Sequence, residues 1–238
     1  MRSRWGALAA GLGAGLWMSV VFGAAFPGFG LWWLALVGLA PVMLVASVWR
    51  GVLLAGVGVG IGSSLMWGVH HWWVAGVSVA GFPALVLYLS LWPALFVWLV
   101  GGARSVLGGR AWVGWVLGPV VWVGLEWWRG EVAFDGYAWF FVGHPLIEFG
   151  GVRGLAGVTG QYGVGLLGAS MNAALGFVGW AVWRRLGGGT GRPVRRGGLA
   201  ASGGVALAVV LVGFGGVWVE GAALRADRGG EVRFGVVQ

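Results

Sequence analysis

The chain has 238 residues, of which 59% are hydrophobic and 9% charged, with a mean hydropathy of +0.88. That composition, with 51 Gly and 19 Trp, excludes an ordinary soluble domain and predicts an all-α, multi-pass membrane protein. All 15 basic residues are Arg; with no Cys and no Lys, these residues form no disulfide, no thiolate metal site and no cysteine nucleophile.

Apolar runs predict seven transmembrane helices, at about 5–25, 31–49, 51–69, 83–103, 111–128, 157–183 and 199–219, near the ~20 residues that cross a ~30 Å hydrocarbon core. Arg2 and Arg4 resemble the start of a signal peptide. No A-x-A-like cleavage site leads into a soluble segment, however, and the first run reads as a retained helix. Turns are predicted at Pro27 with Gly28 and Gly30, at Arg50-Gly51 and at Gly81-Phe82-Pro83, and polar loops at 104–110 and 184–198.

Gly11/Gly15, Gly56/Gly60 and Gly58/Gly62 recur at the spacing that lets helix backbones approach in lipid. A phosphate-cradling loop is the alternative, but GVGVGIG lacks the GxGxxG spacing and any Lys. His70-His71-Trp72-Trp73 reads as an interfacial aromatic belt, because adjacent His do not share a helix face and no carboxylate is near in sequence. Gly168-Ala169-Ser170-Met171-Asn172 approaches a GxSxG nucleophile elbow but lacks the last Gly. Ser170 and Asn172 read instead as hydrogen bonds between helices.

Orientation follows from the arginines. With the N-terminus in the cytoplasm, ten fall in cytoplasmic segments, and the opposite loops before the last span hold only Arg129 and Arg153. The seven acids lie on the outer side or at its border. The positive-inside bias therefore predicts N-in and C-out, and it accounts for the +8 net charge without a nucleic-acid partner. Residues 1–219 are expected to form the membrane domain and 220–230 a linker. In 231–238, Val232, Phe234 and Val236 alternate with Arg233, Gly235 and Val237, as in the first strand of a further domain. A lone strand is not stable by itself.

The stretch from Glu126 to Glu148 holds four of the seven acids. Glu126 and Arg129 are three apart, so on a helix they share a face and can pair. Carboxylates are costly in lipid and default to functional suspicion. Gly130 and Gly136 allow turns, while Trp127, Trp128, Tyr137 and Trp139 supply amphipathic rings at headgroup depth. Two readings stay open on physical grounds. One is an anchored outer loop with a structural ion pair. The other is a lipid-headgroup or peptide-docking rim, in which Arg129 and Arg153 meet phosphate and the aromatics line acyl chains.

Glu126-Trp127-Trp128-Arg129-Gly130, Gly136-Tyr137-Ala138-Trp139 and Gly160-Gln161-Tyr162-Gly163-Val164 together resemble the bacterial apolipoprotein N-acyltransferase family. Phe26-Pro27 through Leu39-Ala40-Pro41, Trp72 to Pro83 and the closing Val-Val-Gln fit the same order of segments. Two departures are a Gly130–Gly136 gap one residue longer than usual and Ala138 at a frequent proline position. The resemblance implies seven spans followed by a nitrilase-like α/β domain, of which 231–238 would be the first strand. It implies transfer of an acyl chain from a phospholipid to the N-terminal amino group of a diacylglyceryl-cysteine. The partners implied are a phospholipid donor, a diacylated lipoprotein acceptor and membrane lipids of the bacterial cytoplasmic membrane, with the C-terminal end periplasmic and no cofactor.

The family's ping-pong chemistry uses a Cys nucleophile, a Glu base and a Lys at the oxyanion. With no Cys and no Lys here, the triad is expected beyond Gln238 and residues 1–238 are expected to be inactive alone. Glu126, Arg129, Gly130, Gly136, Tyr137, Trp139 and Arg153 are expected to form a rim at the membrane-facing mouth of the active site. The alternatives are a small transporter or channel, for which no internal repeat or mid-span charge is seen, and a lipoprotein-binding scaffold. The reading frame beyond Gln238 discriminates between them.

Overall fold

A computed structural model describes residues 4–109 and 111–186. Helix α1 (Arg4–Trp17) runs on through a π-helical turn, Met18–Phe22, and a 3-10 turn, Gly23–Ala25. A further 3-10 turn at Trp32–Leu36 leads to α2 (Ala40–Val48). Then come α3 (Val52–His71), the short α4 (Val74–Val77), α5 (Gly81–Val106) and α6 (Ala111–Glu131). After a 3-10 turn at Ala133–Asp135, the short α7 (Gly143–Leu146) precedes α8 (Gly150–Arg185), which is broken at Gly160 with φ 66° and ψ −176°. Among the described residues there is no strand.

Four of these segments are long and apolar enough to cross a membrane: Arg4–Ala25, Val52–His71, Gly81–Val106 and Gly150–Arg185. They coincide with four of the seven predicted runs. The run at 31–49 is a shorter apolar stretch, Trp32–Val48, and the run at 111–128 falls in the 21-residue α6. The seventh run, the linker and the strand at 231–238 lie outside the described residues.

The predicted glycine stripes are where α3 meets its neighbours. A methyl group on Gly11 would lie 2.1 Å from the Ala55 carbonyl oxygen, and one on Gly58 would lie 2.3 Å from that of Leu8. Gly15 and Gly62 make the same kind of approach one turn on, so α1 and α3 touch backbone to backbone. Gly56 instead faces the Trp98 indole of α5. Helix α3 thus spends one glycine face on each neighbour. Lipid supplies no hydrophobic drive between helices, and close packing of this kind replaces it.

Where helices break, side chains from other helices satisfy the freed backbone, as a membrane interior requires. Asn172 of α8 is fully buried. Its Nδ2 donates to the carbonyls of Ala35 (2.7 Å) and Gly168 (2.9 Å), and its Oδ1 accepts from the Leu39 N–H at 2.7 Å. One side chain therefore clamps the gap between the 3-10 turn and α2, as its interhelical reading predicted; Ser170 takes no part in this clamp. Ser19 in the π-helical turn does similar work, donating to the Gly62 carbonyl (2.8 Å) and accepting from the Met66 N–H (3.0 Å). Arg104 donates to the Trp49 carbonyl at the end of α2.

Gly58→Ala is expected to destabilise the bundle by about 1–3 kcal/mol, the usual range for forced overpacking. Gly13→Ala, which meets nothing within 4 Å, should leave stability unchanged or slightly raised. Unfolding midpoints of the two variants in the same lipid or detergent compare them directly.

Candidate functional site

The last two turns of α6 carry two buried charged side chains, Glu126 at 5% exposure and Arg129 at 3%. Their spacing suggests an ion pair, but each finds its hydrogen bonds elsewhere. Glu126 Oε1 accepts from Trp122 Nε1 at 2.9 Å and from the Val142 N–H at 2.8 Å. Arg129 Nη2 donates to the Trp139 carbonyl at 2.8 Å and, more weakly, to that of Phe140 at 3.5 Å. The Arg129 carbonyl accepts from the Tyr137 N–H at 2.6 Å. Both charges therefore grip one loop, residues 137–142, from the end of one helix. The Arg129 guanidinium also lies 5.0 Å from the Phe141 ring centroid and 5.6 Å from that of Trp67, in cation–π range.

Gly130 and Gly136 make this folding-back possible. A methyl group on Gly136 would lie 2.2 Å from the Gly130 carbonyl oxygen, and Gly136 itself has φ 92°. One on Gly130 would lie 2.7 Å from the Phe141 ring. Three non-glycine residues nearby, Phe134, Asp135 and Phe140, also take positive φ, at 51°, 62° and 60°. Such conformations persist only where surrounding contacts over-determine them. Around Phe140 those contacts are rings: Phe26, Trp67, His70 and His71 all lie with centroids within 6 Å of it.

The interfacial reading of His70-His71-Trp72-Trp73 needs a correction. Trp72 and Trp73 are exposed, as a belt requires, but His71 is 1% exposed. His71 Nδ1 donates to the Trp67 carbonyl at 2.9 Å, and in the neutral ring Nε2 then accepts from the Tyr137 hydroxyl. His70 Nε2 donates to the Gly23 carbonyl at 3.1 Å. The doublet ties α3 to the end of the first span on one side and to the 137–142 loop on the other. Burial raises the Tyr137 hydroxyl pKa above its ordinary value, opposed by the Arg129 charge, so it remains a donor.

The start of α8 closes the arrangement. Tyr162 donates to Glu131 Oε1 at 2.6 Å, and His144 Nε2 donates to Gln161 Oε1 at 3.2 Å. Burial lowers the His144 pKa, which the Gln161 hydrogen bond opposes and the Arg129 charge reinforces. Gly160 supplies the break that turns Gln161 and Tyr162 toward the loop.

Above this lattice lies a groove of about 910 Å³, lined by Phe26, Pro27, Trp32, His70, Trp139 and His144 among others. Its volume is in the range of pockets that hold a small ligand. Of the predicted rim residues, Glu126, Arg129, Gly130, Gly136 and Tyr137 build the loop, and Trp139, 65% exposed, lines the groove. Arg153 is exposed on the first turn of α8 and lines neither this groove nor the small cavity beneath it. Sequence reasoning missed His71 as a partner of the loop and Phe140 as the loop residue packed against the rings of α3. The one signal for His71 was a second histidine beside an interfacial one. Among the described residues, no group of three or more His, Cys, Asp or Glu is placed to hold a metal.

Residues 18–174 match the model of the apolipoprotein N-acyltransferase N-terminal domain. An apolipoprotein N-acyltransferase of Nitrosomonas europaea is 35% identical over 91 residues, covering 38% of this chain and 18% of that protein. One from Shewanella oneidensis is 33% identical over 98 residues, covering 41% and 18%. The aligned stretch is thus less than a fifth of each relative.

Glu126→Ala strands the Val142 N–H and the Trp122 Nε1–H, and an unsatisfied buried donor costs about 1–3 kcal/mol. A lowered unfolding midpoint is therefore expected for Glu126→Ala. Glu126→Gln, which keeps an acceptor oxygen, should lose clearly less in the same assay.

Proposed function

Since the chain belongs to the apolipoprotein N-acyltransferase family, we propose that it is the membrane portion of such an enzyme. In this reading the full protein moves an acyl chain from a phospholipid to the N-terminal amino group of diacylglyceryl-cysteine in a lipoprotein. Seven spans with the N-terminus cytoplasmic bring residues 220–238 to the outer face of the cytoplasmic membrane, where a nitrilase-like domain begins. The observation that carries the reading is the 137–142 loop, gripped by Glu126 and Arg129 beside a groove of about 910 Å³.

The reaction needs groups these residues lack. A thiolate attacks the phospholipid ester carbonyl, the lysophospholipid alkoxide leaves with a proton, and a thioester forms; the acceptor amine then attacks the thioester and gives up a proton as the amide bond forms and the thiolate departs. With no Cys and no Lys in 238 residues, neither the nucleophile nor the oxyanion lysine comes from this stretch. What this stretch contributes is a firm floor. Trp139 and the rings around the groove offer apolar surface to an acyl chain, and the buried charges fix the backbone that presents them. Arg129 is a positioning residue here, since its guanidinium is committed to loop carbonyls.

Purified 1–238 is expected to give no N-acylation of a diacylated lipopeptide in phospholipid vesicles; product formation would overturn the assignment of the chemistry to residues beyond it. In the full-length protein, Arg129→Ala should lower acyl transfer about tenfold, equivalent to ~1.4 kcal/mol. An unchanged rate would reduce the loop to an anchor.

A further inference from the structure

A single aromatic ring separates two apolar spaces in this protein. The groove of about 910 Å³ is lined by exposed residues at its mouth, Pro27, Gly30, Trp139 and Ile147. Its inner end is buried, with Ala25 at 3% and Phe26 at 4% exposure. Beneath it lies a much smaller cavity, of about 20 Å³, walled by Met18, Phe22, Trp67, Trp92 and Trp122 among others, whose open surface is almost wholly apolar. Among the described residues, Phe140 alone belongs to both linings. Its ring centroid lies 4.7 Å from that of Phe26 and 5.0 Å from that of His70, which face the groove, and 5.9 Å from that of Trp67, which faces the cavity.

This partition is fixed in place. The Trp139 and Phe140 carbonyls both accept from Arg129 Nη2, and the Phe140 backbone is set at φ 60°. A ring packed among other rings on a pinned backbone does not give way to a chain pressing on it, because close-packed interiors are barely compressible. We propose that Phe140 is the end stop of the groove and sets the length of the acyl chain that the full protein transfers. The inference rests on the reading given above, in which the groove receives the acyl chain of the phospholipid donor. The ester stays at the exposed mouth and the tail runs inward to the Phe140 ring. Methylenes are buried up to that ring, and those of a longer chain are left outside. Removing the ring joins the groove to the apolar cavity beneath it and makes room for them.

Competition assays on the full-length protein test this. Vesicles carry equal amounts of phospholipids that differ only in acyl-chain length, the diacylated lipopeptide is held constant, and mass spectrometry reads which chain is transferred. All donors compete in one sample, so the product ratio is independent of how much protein is folded. Phe140→Ala is expected to shift the ratio toward longer chains by about fourfold per added methylene, the equivalent of ~0.8 kcal/mol for each CH₂ buried. Phe140→Leu should shift it the same way by less. Phe134→Ala, which removes a ring that is 88% exposed and lines neither space, should leave the wild-type ratio. A purely structural role for Phe140 slows all donors alike. Transfer that continues with an unchanged ratio in both Phe140 variants would therefore overturn the inference and leave the proposed function standing. A shift that follows the length of the acceptor's own chains instead would also overturn it. No transfer from any phospholipid by the wild-type protein would overturn the underlying reading and the inference with it.

Discussion

Buried backbone that leaves a helix has no water to turn to, and this bundle is organised around that constraint. Its solution is to turn polar side chains onto the backbone at several of these breaks. Asn172 holds the carbonyl of Ala35 and the N–H of Leu39 where the second apolar run is interrupted. Ser19 bridges Gly62 and Met66 beside the π-helical turn. Glu126 and Arg129 do the same for the loop after α6, with charged groups where the others use neutral ones. The charge has a physical benefit: a carboxylate accepts and a guanidinium donates more strongly than an amide or hydroxyl does. Holding an irregular six-residue loop, with positive φ at Phe140 within it and at Phe134 and Asp135 just before it, calls for that strength.

The loop then shapes what lies above it. Phe140 is wedged among four rings from α3 and the first connection, and Tyr137 reaches His71 at the end of α3. Trp139, whose carbonyl is fixed by Arg129, is left free to turn its indole outward into the groove. A groove floor built this way is rigid at its backbone and adaptable at its side chains. Under the proposed function, that combination would offer an acyl chain apolar surface with little directional contact.

Much of this was legible in the chain because lipid simplifies the code. Length and hydropathy placed six apolar runs close to the helical segments now described, and the Gly11, Gly15, Gly58 and Gly62 spacing marked the contact of α1 with α3. Glu126, Arg129, Gly130 and Gly136 stood out because charges and glycines cluster there in a chain nearly free of charge. What the chain did not reveal was direction. Helical spacing put Glu126 and Arg129 on one face and suggested that they pair, whereas both reach across to backbone sixteen and ten residues away. Such contacts depend on how the loop folds back, which periodicity does not encode. His71 was misread for the same reason: its neighbour Trp72 is exposed, and only the third dimension separates a lipid-facing ring from one bonded to Tyr137. The break at Gly160 and the short 3-10 turns were also hidden, since apolar runs continue across them.

The central claim is that two buried charges lock the 137–142 loop, and amide hydrogen exchange in lipid nanodiscs tests it most directly. The account predicts that the Tyr137 and Val142 amides exchange as slowly as those in the interior of α6, because their acceptors are the Arg129 carbonyl and the Glu126 carboxylate. Exchange of both amides at the rate of an open surface loop would contradict it.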